Sequence, residues 1–145
     1  MSQTVSVTRR VRRDADVAGA FLSDPHQVLP LITGLGRWRF VRDTADGEEW
    51  DVFLDVGAIQ VGGRVLVTKS DGAGLSWQTI RGTHHAFEAT LASDGDDSIL
   101  TLTATYTLSG LVLAWVSELL GRGIVQRHLE AAAEEIRHHL EYELA

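Results

Sequence analysis

Apolar and polar residues alternate from the start of the chain. Val5, Val7 and Val11 fall on one side and Thr4, Ser6, Thr8 and Arg10 on the other, the period of a half-buried strand over residues 4–12. Asp14-Ala15-Asp16 then supplies N-cap acids ahead of Val17, Ala20 and Phe21, whose three- and four-residue spacings predict a short helix ending near Ser23. Asp24-Pro25 opens a second short helix carrying Val28, Leu29 and Ile32, shortened by Pro30 and closed by Gly34. From Leu35 to Leu108 the period returns to two. Turn-forming clusters at Asp46-Gly47, Gly62-Gly63, Asp71-Gly72-Ala73-Gly74 and Asp94-Gly95-Asp96 punctuate it, predicting strands near 37–43, 48–56, 58–69, 75–82, 84–92 and 98–108. Their connections are short enough for antiparallel hairpins. Gly62-Gly63 falls inside a strand pattern, where paired glycines mark a bulge or bend that lets a sheet curl.

After Ser109-Gly110 the pattern is helical to the end, with a break at Gly121-Arg122-Gly123, because two interior glycines cost about 2 kcal/mol relative to alanine. From about Ile124 to Tyr142, Val125, Leu129, Ala132, Ile136 and Leu140 form an apolar stripe opposite Glu130, Glu134, Arg137 and Glu141. The only complementary surface is the inner face of the sheet. The pattern therefore predicts an α+β architecture: a curved antiparallel sheet of about seven strands, two short helices after strand 1, and a long C-terminal helix over the concave face.

A chain of 145 residues supports one core and reads as a single domain over 1–145. A net charge of −7, with Lys69 the sole lysine, argues against nucleic-acid binding, which needs clustered cations. Only Arg9, Arg10, Arg12 and Arg13 cluster, and strand alternation splits them between two faces. The absence of cysteine removes disulfides, thiolate nucleophiles and cysteine metal sites. Met1 to Arg13 lacks the apolar stretch of a signal peptide, so the expected location is the cytoplasm. Gly110 to Leu120 is interrupted by Ser117 and Glu118 and is too short for the ~20 residues of a spanning helix. Residues 111–120 are left as a possible peripheral membrane or partner contact.

The element order, with Asp24-Pro25, the Gly62-Gly63-Arg64-Val65 segment in a hairpin, Trp77 in the following strand and the Gly110–Gly123 lead-in to the last helix, resembles the START-like or SRPBCC superfamily. Within it the likeness is to the bacterial polyketide cyclase/dehydrase-like branch. Leu31-Ile32-Thr33 stands before Gly34 where many relatives carry a tryptophan. The resemblance implies a helix-grip fold with an apolar pocket between sheet and terminal helix, and the superfamily is functionally mixed.

Strand parity collects Trp38 and Phe40, Trp50, Val52 and Leu54, Val65 and Val67, Trp77 and Thr79, His85 and Phe87, then Leu100, Leu102 and Tyr106 on one face. Aromatics fill ordinary cores too, but an aromatic and aliphatic face with a few polar groups is what a small-molecule site requires. Ala131-Ala132-Ala133 sits mid-helix above it, leaving volume that larger side chains would take. The candidate ligand-binding set is Trp38, Phe40, Trp50, Leu54, Val65, Trp77, Thr79, His85, Phe87, Tyr106, Ala132 and Ile136. His84 and His85 point to opposite faces, which makes His85 the inward one, suited by its ordinary pKa to proton transfer. Arg81 and Tyr106 are the other candidate actors, Arg81 on condition that its strand twists it toward the pocket mouth. Glu135 and His139 share a helix face, but four-apart acid–base pairs are usual on solvated helices and no HExxH pattern exists; neither a metal nor a cofactor is expected. The glycines at 57, 62, 63, 72 and 74 lack the GxGxxG-to-helix context of a dinucleotide site.

Three functions compete. The first is binding, with transport or sequestration, of a hydrophobic small molecule such as a lipid, isoprenoid or aromatic polyketide. The second is a cyclase/aromatase-type enzyme, for which the sequence offers no catalytic motif. The third is a protein-interaction module using residues 111–120. Monomer and homodimer both remain open.

Overall fold

The computed structural model describes residues 2–56, 59–70, 74–82, 84–107 and 122–143. Strand β1 (Ser2–Val11) is followed by α1 (Ala15–Leu22), α2 (Pro25–Val28) and a 3-10 turn (Thr33–Leu35). Then come β2 (Arg37–Thr44), β3 (Gly47–Val56), β4 (Ile59–Ser70), β5 (Gly74–Gly82), β6 (His85–Asp94) and β7 (Asp97–Thr107). The chain closes with α3 (Arg122–His138), which passes into a π turn over His139–Glu143. Helix α3 thus begins at Arg122, with Gly123 inside its first turn. The break expected across Gly121-Arg122-Gly123 falls partly at Gly121, outside the described residues.

Local chemistry accounts for the helix starts. Asp14 caps α1 by accepting from the backbone N–H groups of Asp16 and Val17 at 3.1 and 3.0 Å, satisfying donors that have no partner inside the helix. Asp24 does the same for α2 through the His26 N–H, with Pro25 next to it at the first helical position.

All seven strands form one antiparallel sheet in the order β1-β7-β6-β5-β4-β3-β2, so each hairpin joins neighbours and the N-terminal strand returns beside the last. The sheet bends where β4 meets β5. Arg64 pairs with Arg81 but Val65 pairs with Thr79, leaving Ile80 as an additional residue in β5. Beside that bulge Gly63 and Gly82 face each other. A Cβ on Gly63 would lie 2.7 Å from the Arg81 carbonyl oxygen, and Gly82 has φ +103° with a Cβ position 2.8 Å from the Gly62 oxygen. Only glycine permits this approach, and the bend that Gly62-Gly63 foretells is formed here.

Helices α1 and α3 cover the same side of the sheet. Helix α1 packs on β5–β7, and α3 packs on β1, β7 and the 3-10 turn. Leu129, Ala132, Ile136 and Leu140 of the terminal stripe are fully buried and join Val5, Val7, Val11, Phe21, Leu22, Leu100 and Leu102 in one core. Phe21 stacks on His139 with ring centroids 4.5 Å apart, tying α1 to the end of α3.

The convex side is held by cross-strand charge pairs. Arg39, Asp51, Arg64 and Arg81 occupy successive strands in one row. Arg64 donates to the buried Asp51 carboxylate at 2.9 Å, and Arg39 donates to its other oxygen. These hydrogen bonds, Arg64's first, hold the Asp51 carboxyl down at about 2 against an ordinary 3.8. Arg42 likewise lowers the pKa of Glu49 through a hydrogen bond at 2.9 Å.

Ile136→Asp is expected to remove about 3–5 kcal/mol of stability, read as a lowered urea midpoint. Ala131→Asp, on the exposed side of the same helix, should cost about 1 kcal/mol or less; equal effects would take α3 out of the core. A second expectation concerns pH. Because the folded Asp51 pKa is depressed, its contribution is complete above the ordinary value and is lost as pH falls through the folded one. The stability gap between the wild type and Asp51→Asn should therefore be constant near neutrality and close between about pH 4 and pH 2. A gap unchanged by acid would show that the two arginines do not act on this carboxylate.

Candidate functional site

Cross-strand partners share a face, so the register sorts the sequence candidates directly. On the concave face one row runs Val67, Trp77, Phe87 and Ala104 across β4 to β7. The next holds Trp50, Val65 and Thr79 on β3 to β5, with His85 and Tyr106 opposite each other on β6 and β7. A third holds Trp38, Val52, Gly63 and Gly82. The two facing glycines carry no side chain onto this surface. Ala132, Ala133 and Ile136 are fully buried in α3, while Ala131 is exposed.

Trp38, Trp77 and Phe87 form a continuous wall. Trp77 stacks on Phe87 at 4.1 Å with 16° between planes, and Trp38 meets Trp77 edge to face at 4.6 Å. The indole Nε1 atoms of Trp38 and Trp77 are both buried and have no hydrogen-bond partner among the described residues. A buried donor left without an acceptor costs about 1–3 kcal/mol, so two in contact are a local weakness in an otherwise packed face. Thr79 steadies the adjoining hairpin neck, its Oγ1 accepting from the His85 backbone N–H at 3.2 Å.

A second aromatic group sits apart from the first. Phe40, Trp50 and His26 have ring centroids 4.8–5.4 Å apart. Here the indole is satisfied: Trp50 Nε1 donates to Glu48 Oε1 at 2.9 Å, and His26 Nε2 lies 3.1 Å from the same oxygen. Phe40 is 39% exposed and packs here, not in the Trp38–Trp77–Phe87 wall. The sequence reading did not include His26 or Glu48. Asp24-Pro25 signals the helix that carries His26, but no periodicity says which strand end that helix meets.

Two candidates resolve differently from the rest. Arg81 does not turn toward the concave side. The extra residue Ile80 reverses the alternation of β5, so Arg81 pairs with Arg64 on the convex face, where its charge acts on Glu49. Leu54 lies in β3, but its side chain is outside the described residues, as is the whole of 111–120. Glu135 and His139 are engaged elsewhere, Glu135 accepting from Thr33 Oγ1 at 2.9 Å and His139 lying against Phe21 and 3.2 Å from Glu143. Among the described residues no group of three or more metal-ligating side chains converges. None of their helices is long and apolar enough to cross a membrane. A depression of about 360 Å³ opens on the convex side among Leu66, Thr68, Ser76, Gln78, Glu88 and Thr103, with Trp77 and Phe87 of the wall also contributing to its lining. Polar and apolar groups share its lining.

No family model matches the sequence, and no curated protein does so either. Solved structures match over nearly the whole chain. Zhui aromatase/cyclase from Streptomyces sp. R1128 superposes with a TM-score of 0.75 at 16% identity, covering 99% of this chain and 98% of that one. Major latex-like protein 151 from Panax ginseng gives 0.69 at 11%, covering 96% and 97%. Norcoclaurine synthase from Thalictrum flavum, solved with dopamine and hydroxybenzaldehyde, gives 0.67 at 17%, covering 94% and 85%. The chain has the helix-grip fold. At these identities the likeness establishes that fold and no more, and the grip is the one described above: α3 clasped against the concave sheet. Within the helix-grip frame, the Trp38–Trp77–Phe87 wall and the His85–Tyr106 pair are this chain's own side chains on the clasped face.

Glu48→Ala is expected to destabilise the protein by about 1–3 kcal/mol by stripping the buried Trp50 N–H of its acceptor, whereas Glu48→Gln, which keeps an acceptor, should cost about 1 kcal/mol or less. Urea denaturation of both variants checks this, and equal losses would show that the carboxylate charge matters rather than the hydrogen bond.

Proposed function

We propose that residues 1–145 act as one domain that binds a small hydrophobic molecule, of the lipid, isoprenoid or aromatic polyketide kind, between the concave sheet and α3. The observation that carries this reading is the Trp38–Trp77–Phe87 wall beside the bare Gly63–Gly82 positions, on the same sheet face that α3 covers with alanines among its buried residues. Norcoclaurine synthase, of the same fold, has been solved with two small aromatic molecules, which supports the reading by analogy of fold. Burial of about 300 Å² of apolar ligand is worth roughly 7 kcal/mol gross, and association costs at least ~4. Shape alone therefore binds weakly, and the few polar groups of the face set selectivity. The ligand-binding residues of this proposal are Trp38, Val65, Trp77, Thr79, His85, Phe87, Tyr106, Ala132 and Ile136, with Phe40 and Trp50 at the margin.

One observation favours a cyclase/aromatase-type enzyme as the second reading: His85 and Tyr106 are direct cross-strand partners on the concave face. A pocket that orients a reactive chain beside an imidazole and a phenol needs little more for proton management.

An environment-sensitive apolar dye should bind at about one per chain and alter tryptophan emission, and Ala132→Phe should weaken that binding while costing about 1–3 kcal/mol or less. A dye that binds without saturation, or binding untouched by Ala132→Phe, would count against a site under α3. His85→Ala separates the two readings: turnover of a polyketide-like substrate lost with binding retained favours the enzyme, and loss of neither assigns His85 to structure.

A further inference from the structure

The polar anchor of the concave face is written in its unpaired donors. Trp38 and Trp77 each bury an indole Nε1–H that meets no acceptor among the described residues, while Trp50, on the same face, has its N–H bonded to Glu48. Buried donors in folded proteins are nearly always paired, and an exception calls for a partner that arrives with a ligand or solvent. The two rings touch, their centroids 4.6 Å apart, which puts both donors in one aromatic contact on the concave face. A carbonyl oxygen has two lone pairs and can accept from both. The donors are neutral indoles, and the two arginines that bond Glu134 of α3, Arg9 and Arg137, are engaged by that carboxylate. A ligand carboxylate would gain no countercharge from them, and an unpaired buried charge is heavily penalised. Trp77 is also stacked on Phe87, which fixes its plane and leaves the N–H edge as its means of discrimination.

We infer that the concave site selects neutral apolar molecules bearing a carbonyl oxygen, with the indole N–H groups of Trp38 and Trp77 as its hydrogen-bond donors. This rests on the small-molecule reading above and names the ligand class for it. The test compares 2-acetylnaphthalene with 2-ethylnaphthalene, which share shape and differ by the carbonyl. Titrations followed by tryptophan emission should show the ketone bound about five- to tenfold more tightly, the size of one net hydrogen bond, although water solvates it better. In Trp38→Phe/Trp77→Phe, which keeps the aromatic rings, that preference should disappear. Proton–nitrogen spectra of the wild type provide a readout independent of folding effects in the variants: the ketone should move the Trp38 and Trp77 indole N–H signals downfield and leave that of Trp50 in place, and the hydrocarbon should shift neither of the pair downfield. Equal affinities, a preference that survives the double substitution, or indole signals that do not respond to the ketone would overturn the inference while leaving the site intact. If neither naphthalene binds, the small-molecule reading itself fails and the inference falls with it.

Discussion

A sheet of seven antiparallel strands with one apolar face is unstable until that face is covered, and in this chain the cover comes from α3 and α1 together. Leu129, Ala132, Ile136 and Leu140 lose all contact with solvent against β1, β7 and the 3-10 turn, while α1 closes over β5–β7. Full burial of each leucine or isoleucine contributes about 1.5–3 kcal/mol. That one contact sets which face of every strand looks inward. Through the two-residue period it then sets where each tryptophan, histidine and arginine goes.

The sheet accommodates the helix by curling, and the curl is localised. At the Gly63–Gly82 contact the backbones approach more closely than any side chain allows, and the neighbouring extra residue Ile80 changes the parity of the end of β5. Two consequences follow from one bulge: the concave face loses two side chains beside Trp38, and Arg81 is sent to the convex face. There it joins a row in which Arg39 and Arg64 clamp Asp51. The strands that the described helices cover least, β2 to β4, are thus linked across their outer side by charge-assisted hydrogen bonds, which are stronger than neutral ones.

The same fold holds a cyclase, a latex-like protein and a synthase among its solved examples, so the architecture by itself selects none of these activities. What distinguishes this chain is how it treats its aromatics. Trp50 is anchored by Glu48 and packed with Phe40 and His26 at one place on the face, which makes that group structural in character. Trp38 and Trp77 are packed, and their indole N–H groups meet no acceptor among the described residues.

The sequence alone determined the element order, the near-complete strand boundaries and the inward set, because hydrophobic period, N-cap acids and turn residues act over a few residues and are written locally. Asp14 and Asp24 cap the helices they precede, the strand parity placed Trp38, Trp77, Phe87 and His85 inward, and the 125–140 stripe found its cover. Tertiary structure decided what depends on meetings between distant segments. A bulge at Ile80, set by backbone approach to β4, moved Arg81 off the site. The path of α2 brought His26 onto Trp50, 24 positions away in the chain, and onto Glu48 of the same strand, and Phe40 packs with them. That the Trp38 and Trp77 indoles meet no acceptor among the described residues was settled only there, since a hydrogen bond requires two groups within about 3 Å and no local pattern in a chain specifies that distance across a curled sheet.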